Sequence, residues 1–555
     1  MDLLKKHWEL TAYIVLVLVF TFPMITDPIN LILGHDQATA GCHIWVLWWA
    51  QQGMSNIETD LIFYPNGADV VLLYGSDVLS PVIFSWIPIP PTLLYNFWVV
   101  FLMVLGAVGC QNLAKHFAAT RGGAFVAGVV FCSAPFFQHE LLNGTSEIVA
   151  AAFLPWFTLH QLQLLKKPHW KTALKLGLFA GLAVTSSVYN AFFLMVITAC
   201  ILTHRACTDV LPILNKSFLQ NSAFSIAAFA PFFYFVVVLH LQHGGAQTLE
   251  RRENWLDIGM MLPDSFADLT DWINPAAANI PERMPLPNGS FFEYWTTCTV
   301  YLGWSVIGLA VYAWWKQKKP RLGVMFLLVF VSVLIAMGPY LRINGEVLMI
   351  QGNPLYLPLY TIGYLFPLIS VSALHAYRYA AIAVVALSTI VGRGVHSAWW
   401  AVLIIAECLL LSPVPYPAAV TKSPQSEALQ ALREAEQGAV LFAPLAKENL
   451  HDISLALLSQ TQHQKPFQDG GIHRRAGESA TKLFAENPLV EAMSERQGAN
   501  FIDEKTTQLA ITNLKEKGFR YILVPSEAPK VQQWYETVIG PPTAQDEHWS
   551  WFTLK

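Results

Sequence analysis

The chain carries roughly ten runs of about 20 mostly apolar residues, each long enough to cross the hydrocarbon core of a bilayer. That repetition leaves few folds open. In lipid every backbone N–H and C=O must be satisfied internally, so such runs are helices. Composition agrees: 54% of residues are hydrophobic and 13% are charged. A soluble domain carries about a quarter charged residues. The expected fold is a polytopic α-helical membrane protein of about 11 transmembrane helices. The spans are placed near 9–26, 91–114, 122–138, 146–165, 173–189, 190–204, 218–241, 295–315, 322–341, 376–392 and 397–413.

Charge sets the orientation, because cytoplasmic loops near helix ends are rich in Lys and Arg. After Lys6 the next such residue is Lys115, and the loop between holds Asp27, Asp36, Glu58, Asp60, Asp69 and Asp77. That loop is read as external and the N-terminus as cytoplasmic. Lys166–Lys171 and Lys316–Arg321 continue the alternation, while Arg251, Arg252 and Arg283 run against it. The first apolar stretch ends in "FPMITDP" without a small-x-small cleavage site, so it reads as an uncleaved helix.

The expected organisation is a membrane domain over 1–415, with external loops 27–77 and 243–292, and an extracytoplasmic α/β domain over 416–555. Proline-broken stretches at 78–91 and 354–369 read as re-entrant or interfacial pieces, with a kinked span as the alternative. In the tail, "AVLFAPL" and "RYILVPS" read as short buried strands. "TTQLAITNLKEKG" reads as a helix closed by Gly518.

Several classes are set aside. No Lys/Arg stripe points to nucleic acid. The seven cysteines show no C-x-x-C pair and read as small apolar residues. Walker A, G-x-S-x-G and H-E-x-x-H motifs do not occur. No internal repeat or mid-span charge favours a transporter.

The stretch "GHDQATAGCHIWVLWW" (Gly34–Trp49) raises two readings of Asp36. In one, Asp36 caps a helix beginning just after it. Trp45, Trp48 and Trp49 then share a face, and the helix lies in the outer membrane interface. In the other, Asp36 does chemistry at that surface.

The second reading comes from resemblance. This stretch, with "DLIFYPNGADVVLLYGSDVLSP" (Asp60–Pro81), "NGTSEIVAAAFLPW" (Asn143–Trp156), "FEYWTTCTVYLGW" (Phe292–Trp304), "AMGPYLRINGE" (Ala336–Glu346) and "SALHAYRYAAIAVVAL" (Ser372–Leu387), resembles bacterial GT-C class integral membrane glycosyltransferases of the polyprenyl-phosphate-sugar-dependent type. The likeness covers most of the first 415 residues and, loosely, the tail. It implies transfer of a sugar from a polyprenyl-phosphate carrier to an extracytoplasmic glycan, lipid or protein acceptor, in a bacterial inner membrane. Asp36 would act as general base. Arg378 would bind the phosphate leaving group, its plain alternative being a snorkelling interface residue.

Further substrate-binding candidates are Glu147 and His139 at a helix mouth, Glu293 before a span, His35 beside Asp36, and Asp77. Each has a plain alternative: a charge favoured by the helix dipole, a loop histidine, or a cap. A divalent metal is left open with no ligand set assigned, because His43 lies two turns, about 10 Å, from Asp36. "QDGGIHRRAGE" (Gln468–Glu478) reads as solvated surface or as a basic contact loop. The alternative to an enzyme is a non-catalytic subunit of a larger envelope assembly on the same scaffold.

Overall fold

The computed structural model describes residues 8–35, 39–53, 58–70, 77–208, 216–243, 266–275, 299–316, 322–365, 375–444, 450–470, 482–483, 486–494 and 504–554. Two compact units emerge. The first comprises 1–26, 76–79 and 96–419, and the second 27–75, 80–95 and 420–555.

The first unit is helical. Among the described residues, four segments are long and apolar enough to cross a membrane: Pro91–His116, Arg121–Leu142, Ser146–Lys166 and Val188–Thr208. Shorter apolar helices occupy Trp8–Phe20, Gly323–Ala336 and Trp400–Leu411. At the centre is Ala380–Gly394, in which all residues but Arg393 are buried. It packs against Arg121–Cys132, Trp304–Lys316 and Gly323–Ala336.

Small residues make that packing close, as lipid-embedded helices require. A Cβ on Gly123 would meet the Gly392 carbonyl oxygen at 2.2 Å, and one on Gly392 would meet Ala127 at 2.7 Å. Likewise, a Cβ on Gly177 would meet the Ser225 carbonyl oxygen of the Lys216–His243 helix at 2.2 Å. Among the described residues, the proline-broken 78–91 and 354–369 stretches hold the short helices Leu79–Phe84 and Pro358–Leu365.

The second unit is built on a four-stranded sheet in the order Ala544–Gln545, Trp549–Thr553, Phe519–Pro525, Ala439–Phe442. The last pair is parallel and the others are antiparallel. Phe519–Pro525 is central and buried on both faces, which is why "FRYILVP" is nearly all apolar. Alternation along the strands splits the core in two. Phe442, Tyr521, Leu523, Trp549 and Trp551 face one way, with Leu429 and Leu457. Leu441, Ile522, Val524 and Phe552 face the other, with Leu514 and Tyr535.

The tryptophan helix differs from its expected place. It begins at Ala40, with Thr39 rather than Asp36 in the N-cap position. Trp45, Trp48 and Trp49 belong to the second unit's core instead of a membrane interface. The helix packs on Leu450–His463, and the Trp45 indole N–H donates to Gln460 Oε1 at 2.6 Å. Strand Leu31–Leu33 also pairs with Val420–Lys422. The expected division at residue 415 therefore cuts a unit that 27–75 completes. The reason is packing: an aromatic stripe finds a better partner in an apolar helix face than in water.

Two polar anchors order this unit. Asp546 accepts from the Ala428 amide (3.0 Å), the Ser426 hydroxyl and the His548 and Trp549 amides (both 2.9 Å). These bonds outweigh the cost of burial and hold its carboxyl below the usual range. His463 is buried, and its Nδ1 accepts from the Lys465 amide at 3.0 Å. Burial, with the Lys465 charge, pushes it down from 6.5 to about 3.

A depressed histidine leaves the unfolded chain binding a proton that the folded chain refuses. Stability is therefore full above about pH 6.5 and falls as pH drops toward 3. The loss approaches about 1.4 kcal/mol per pH unit. Amide hydrogen exchange of the four strands should show this slope, and His463→Gln should flatten it between those limits.

Candidate functional site

The site in the first unit begins at a tight turn between two spans. Pro135 starts the Pro135–Leu142 helix, Asn143 caps its end, and Gly144 (φ +72°) reverses the chain. A left-handed φ is the conformation that favours glycine. The Thr145 amide then bonds back to the Glu140 carbonyl at 2.9 Å. The turn sets Glu140 and Glu147 at facing ends of consecutive spans, both buried. The Thr145 hydroxyl donates to the Glu140 carboxylate, and Tyr377 lies beside that carboxylate. Glu140 Oε1 is buried and accepts no hydrogen bond from the described residues.

Arg378 comes from the short helix Ala376–Tyr379, which leads directly into the buried Ala380–Gly394 helix. It is 5% exposed. Its guanidinium carbon lies 4.7 Å from the Tyr189 ring centroid and 5.8 Å from that of Tyr377. Tyr189 is delivered by a chain break. Ser187 is extended between helices Trp170–Ser186 and Val188–Thr208, and its hydroxyl accepts the Tyr189 amide at 3.3 Å. Phe193, one turn on, meets Tyr379 edge-on at 5.0 Å. Phe136 meets Tyr377 at 6.4 Å. Phe136 and Glu140 are four apart on one helix face, so both point at the Arg378 segment.

The electrostatics are unusual. Glu140 and Glu147 both act on Arg378 through space. Yet among the described residues neither carboxylate is in salt-bridge contact with the guanidinium. Among the described residues the Arg378 side chain makes one hydrogen bond, a long one of 3.4 Å from Nε to the Tyr377 hydroxyl. A guanidinium offers five N–H donors, so the rest have no protein acceptor among the described residues. Burying a charge with donors unspent is costly. The cation also sits at the positive end of a helix, where the dipole favours anions. An anion is the ligand that both features suit.

Of the residues named from sequence, the structure brings Arg378 and Glu147 together. Asp77 is buried in the same unit. It precedes Val78, whose amide donates to the Thr185 carbonyl at 2.9 Å, near the start of the Tyr189 helix. His139 is buried next to Glu140. His35 belongs to the second unit. Asp36 and Glu293 lie outside the described residues, as do most of 243–292 and residues 471–478 of the tail loop. The roles of Glu140, Thr145, Tyr189 and Tyr377 escaped sequence reading. Glu140, seven residues before Glu147 across an Asn-Gly turn, was the legible signal. Among the described residues no three His, Cys, Asp or Glu side chains are grouped to hold a metal ion.

No family model and no curated protein matches the sequence. Solved structures resemble its fold. Similarity to the arabinofuranosyltransferase AftD from Mycobacteria has a TM-score of 0.54 at 13% identity, over 94% of this chain and 36% of that one. The chain thus spans about a third of that protein. The apo Archaeoglobus fulgidus oligosaccharyltransferase gives 0.50 at 12% identity, over 97% and 72%. ArnT from Cupriavidus metallidurans, solved with undecaprenyl phosphate, gives 0.45 at 10% identity, over 98% of each. The first two likenesses establish that the chain has the fold of GT-C glycosyltransferases.

The stacked geometry of Arg378 is directly testable. Tyr189→Leu removes the ring beneath the guanidinium and should cost about 1–2 kcal/mol of stability, the worth of a desolvated cation–π contact. Tyr189→Phe keeps the ring and should stay within about 0.5 kcal/mol of wild type. Unfolding of the full chain in detergent measures both.

Proposed function

We propose that the chain is a membrane glycosyltransferase that moves a sugar from a polyprenyl-phosphate carrier to an acceptor on the extracytoplasmic face. In this reading about 11 helices span a bacterial inner membrane, the N-terminus is cytoplasmic, and residues 416–555 lie outside. The observation that carries the reading is Arg378: a buried guanidinium, stacked on two rings, with donors unspent at a helix N-terminus. A phosphate supplies paired oxygens for that fork.

The chemistry follows in one displacement. Asp36 accepts the proton of the acceptor hydroxyl. That oxygen attacks the anomeric carbon as its bond to the carrier phosphate breaks. The bonding pair leaves on the phosphate oxygen, and Arg378 stabilises the growing negative charge. Attack opposite the leaving group inverts the anomeric centre. Tyr189 and Tyr377 hold the guanidinium in place. Glu140 and Glu147 lower the cost of burying it without occupying its donors.

His35, His139, Asp77 and Glu293 are assigned to the walls of the substrate path. The acceptor is a glycan, lipid or protein, and the sugar a hexose or pentose.

A deletion strain complemented with wild type or Asp36→Asn tests this, with envelope glycans and glycolipids read by mass spectrometry. Membrane insertion is checked for both. The deletion should remove one sugar that wild type restores and Asn does not. Full restoration by Asn would favour the non-catalytic scaffold.

A further inference from the structure

Two buried side chains of the first unit hold complementary bonds unmade. Glu140 is fully buried. Its Oε2 takes the Thr145 hydroxyl, and its Oε1 accepts no hydrogen bond from the described residues. Arg378 is 5% exposed, and its side chain uses only Nε on a described partner, the Tyr377 hydroxyl. A buried acceptor left bare is costly, and so are idle donors on a buried cation.

The two groups are neighbours that do not join. They act on each other through space, and the Tyr377 hydroxyl borders both. Yet they are not in salt-bridge contact. Each is fixed by other parts of the fold. Glu140 rides on the Pro135–Leu142 helix, which packs against Ala380–Gly394. The Thr145 hydroxyl also donates to the Glu140 carbonyl at 3.0 Å. Arg378 is fixed by the rings of Tyr189 and Tyr377. A ligand that meets both demands brings an anionic oxygen to Arg378 and a hydroxyl to Glu140.

We infer that Glu140 binds a sugar hydroxyl of a glycosyl phosphate whose phosphate sits on Arg378. This rests on the proposed function, whose phosphate site it extends to the sugar. A carboxylate takes a hydroxyl in a short, charge-assisted bond. A site built around a substrate hydroxyl rejects ligands that lack it, because its buried acceptor then stays unpaired. Charge adds to the discrimination. A sugar-linked phosphate diester carries a single negative charge, whereas the monoester left after transfer carries about 1.5 to 2 at pH 7. Glu140 and Glu147 repel the larger charge more strongly. The site therefore favours the loaded carrier over the bare one, and transfer itself promotes release.

The test measures carrier binding without an acceptor, so it needs no transfer. Full-length protein in detergent is titrated with polyprenol, polyprenyl phosphate, and the diesters of polyprenyl phosphate with glucose, mannose, galactose and arabinose. Polyprenol against polyprenyl phosphate reads the Arg378 site alone. Equal binding there overturns the proposed function and this inference with it. A phosphate preference without a sugar preference overturns this inference alone. Wild type should favour at least one diester over the bare carrier by about tenfold or more. Deleting one hydroxyl of that sugar should abolish the preference. Glu140→Gln should abolish it too, while binding the bare carrier at least as tightly as wild type, and there the deoxy ligand should lose nothing further. Glu140→Asp keeps the charge but withdraws it by one carbon. It should lose the preference with bare-carrier binding unchanged. The inference is overturned if every deoxy diester binds as its parent does, or if either variant keeps the preference. It is also overturned if a variant loses the bare carrier equally, which would make Glu140 a structural support for Arg378. A preference that disappears with EDTA would overturn it too, by assigning the carboxylate to a cation.

Discussion

A positive charge kept out of water without a direct counter-ion is the constraint on which the first unit is organised. Arg378 is buried, stacked against Tyr189 and Tyr377, and bonded only weakly by its Nε. Isolated burial of such a group would be prohibitive. Aromatic faces offset part of that cost, and two carboxylates at the Asn143–Thr145 turn offset more. Neither carboxylate touches the guanidinium, and that separation is what leaves its donors available. Close helix packing makes the arrangement rigid. Gly123, Ala127 and Gly392 let the helix that follows Arg378 be enclosed by its neighbours. Larger residues there would shift the segment that carries the charge.

The acids and the arginine also illustrate why a direct ion pair would suit a binding site poorly. A bidentate Glu–Arg pair is satisfied by itself and has little left for a ligand. An arginine held by fields and ring faces keeps its orientation and spends little of its hydrogen-bonding capacity. Tyr189 owes its place to the extended Ser187 between two helices, and Tyr377 to the short helix Ala376–Tyr379 that it shares with Arg378.

Much of this was legible in the sequence, and the limits have physical causes. Apolar runs of span length report helices directly, since lipid leaves no other solution. Glu147 stood out as a charge beside an apolar run, and Arg378 through the resemblance. Glu140 was visible but its part was not, because the turn that aims it depends on Gly144 and on the Thr145 bonds. Tyr189 was illegible, since its contact with Arg378 joins positions far apart in sequence. The tryptophan helix misled for a different reason. A stripe of Trp45, Trp48 and Trp49 has the same spacing whether it faces lipid headgroups or a protein core, and only the presence of Leu457 and Trp551 as partners decides. For the same reason, local signals alone could not show that 27–75 completes the unit formed by the tail.

The central claim is that Arg378 is an anion receptor for a lipid-linked phosphate. The most direct measurement is native mass spectrometry of the detergent-solubilised full chain with polyprenyl phosphate, with the matching polyprenol as control, for wild type and Arg378→Gln. Charge-assisted bonds of about 1.5–3 kcal/mol imply a preference of about 10- to 100-fold for the phosphate, abolished in a folded Arg378→Gln protein. Equal binding of phosphate and alcohol by wild type, or undiminished phosphate binding by the variant, would contradict the account.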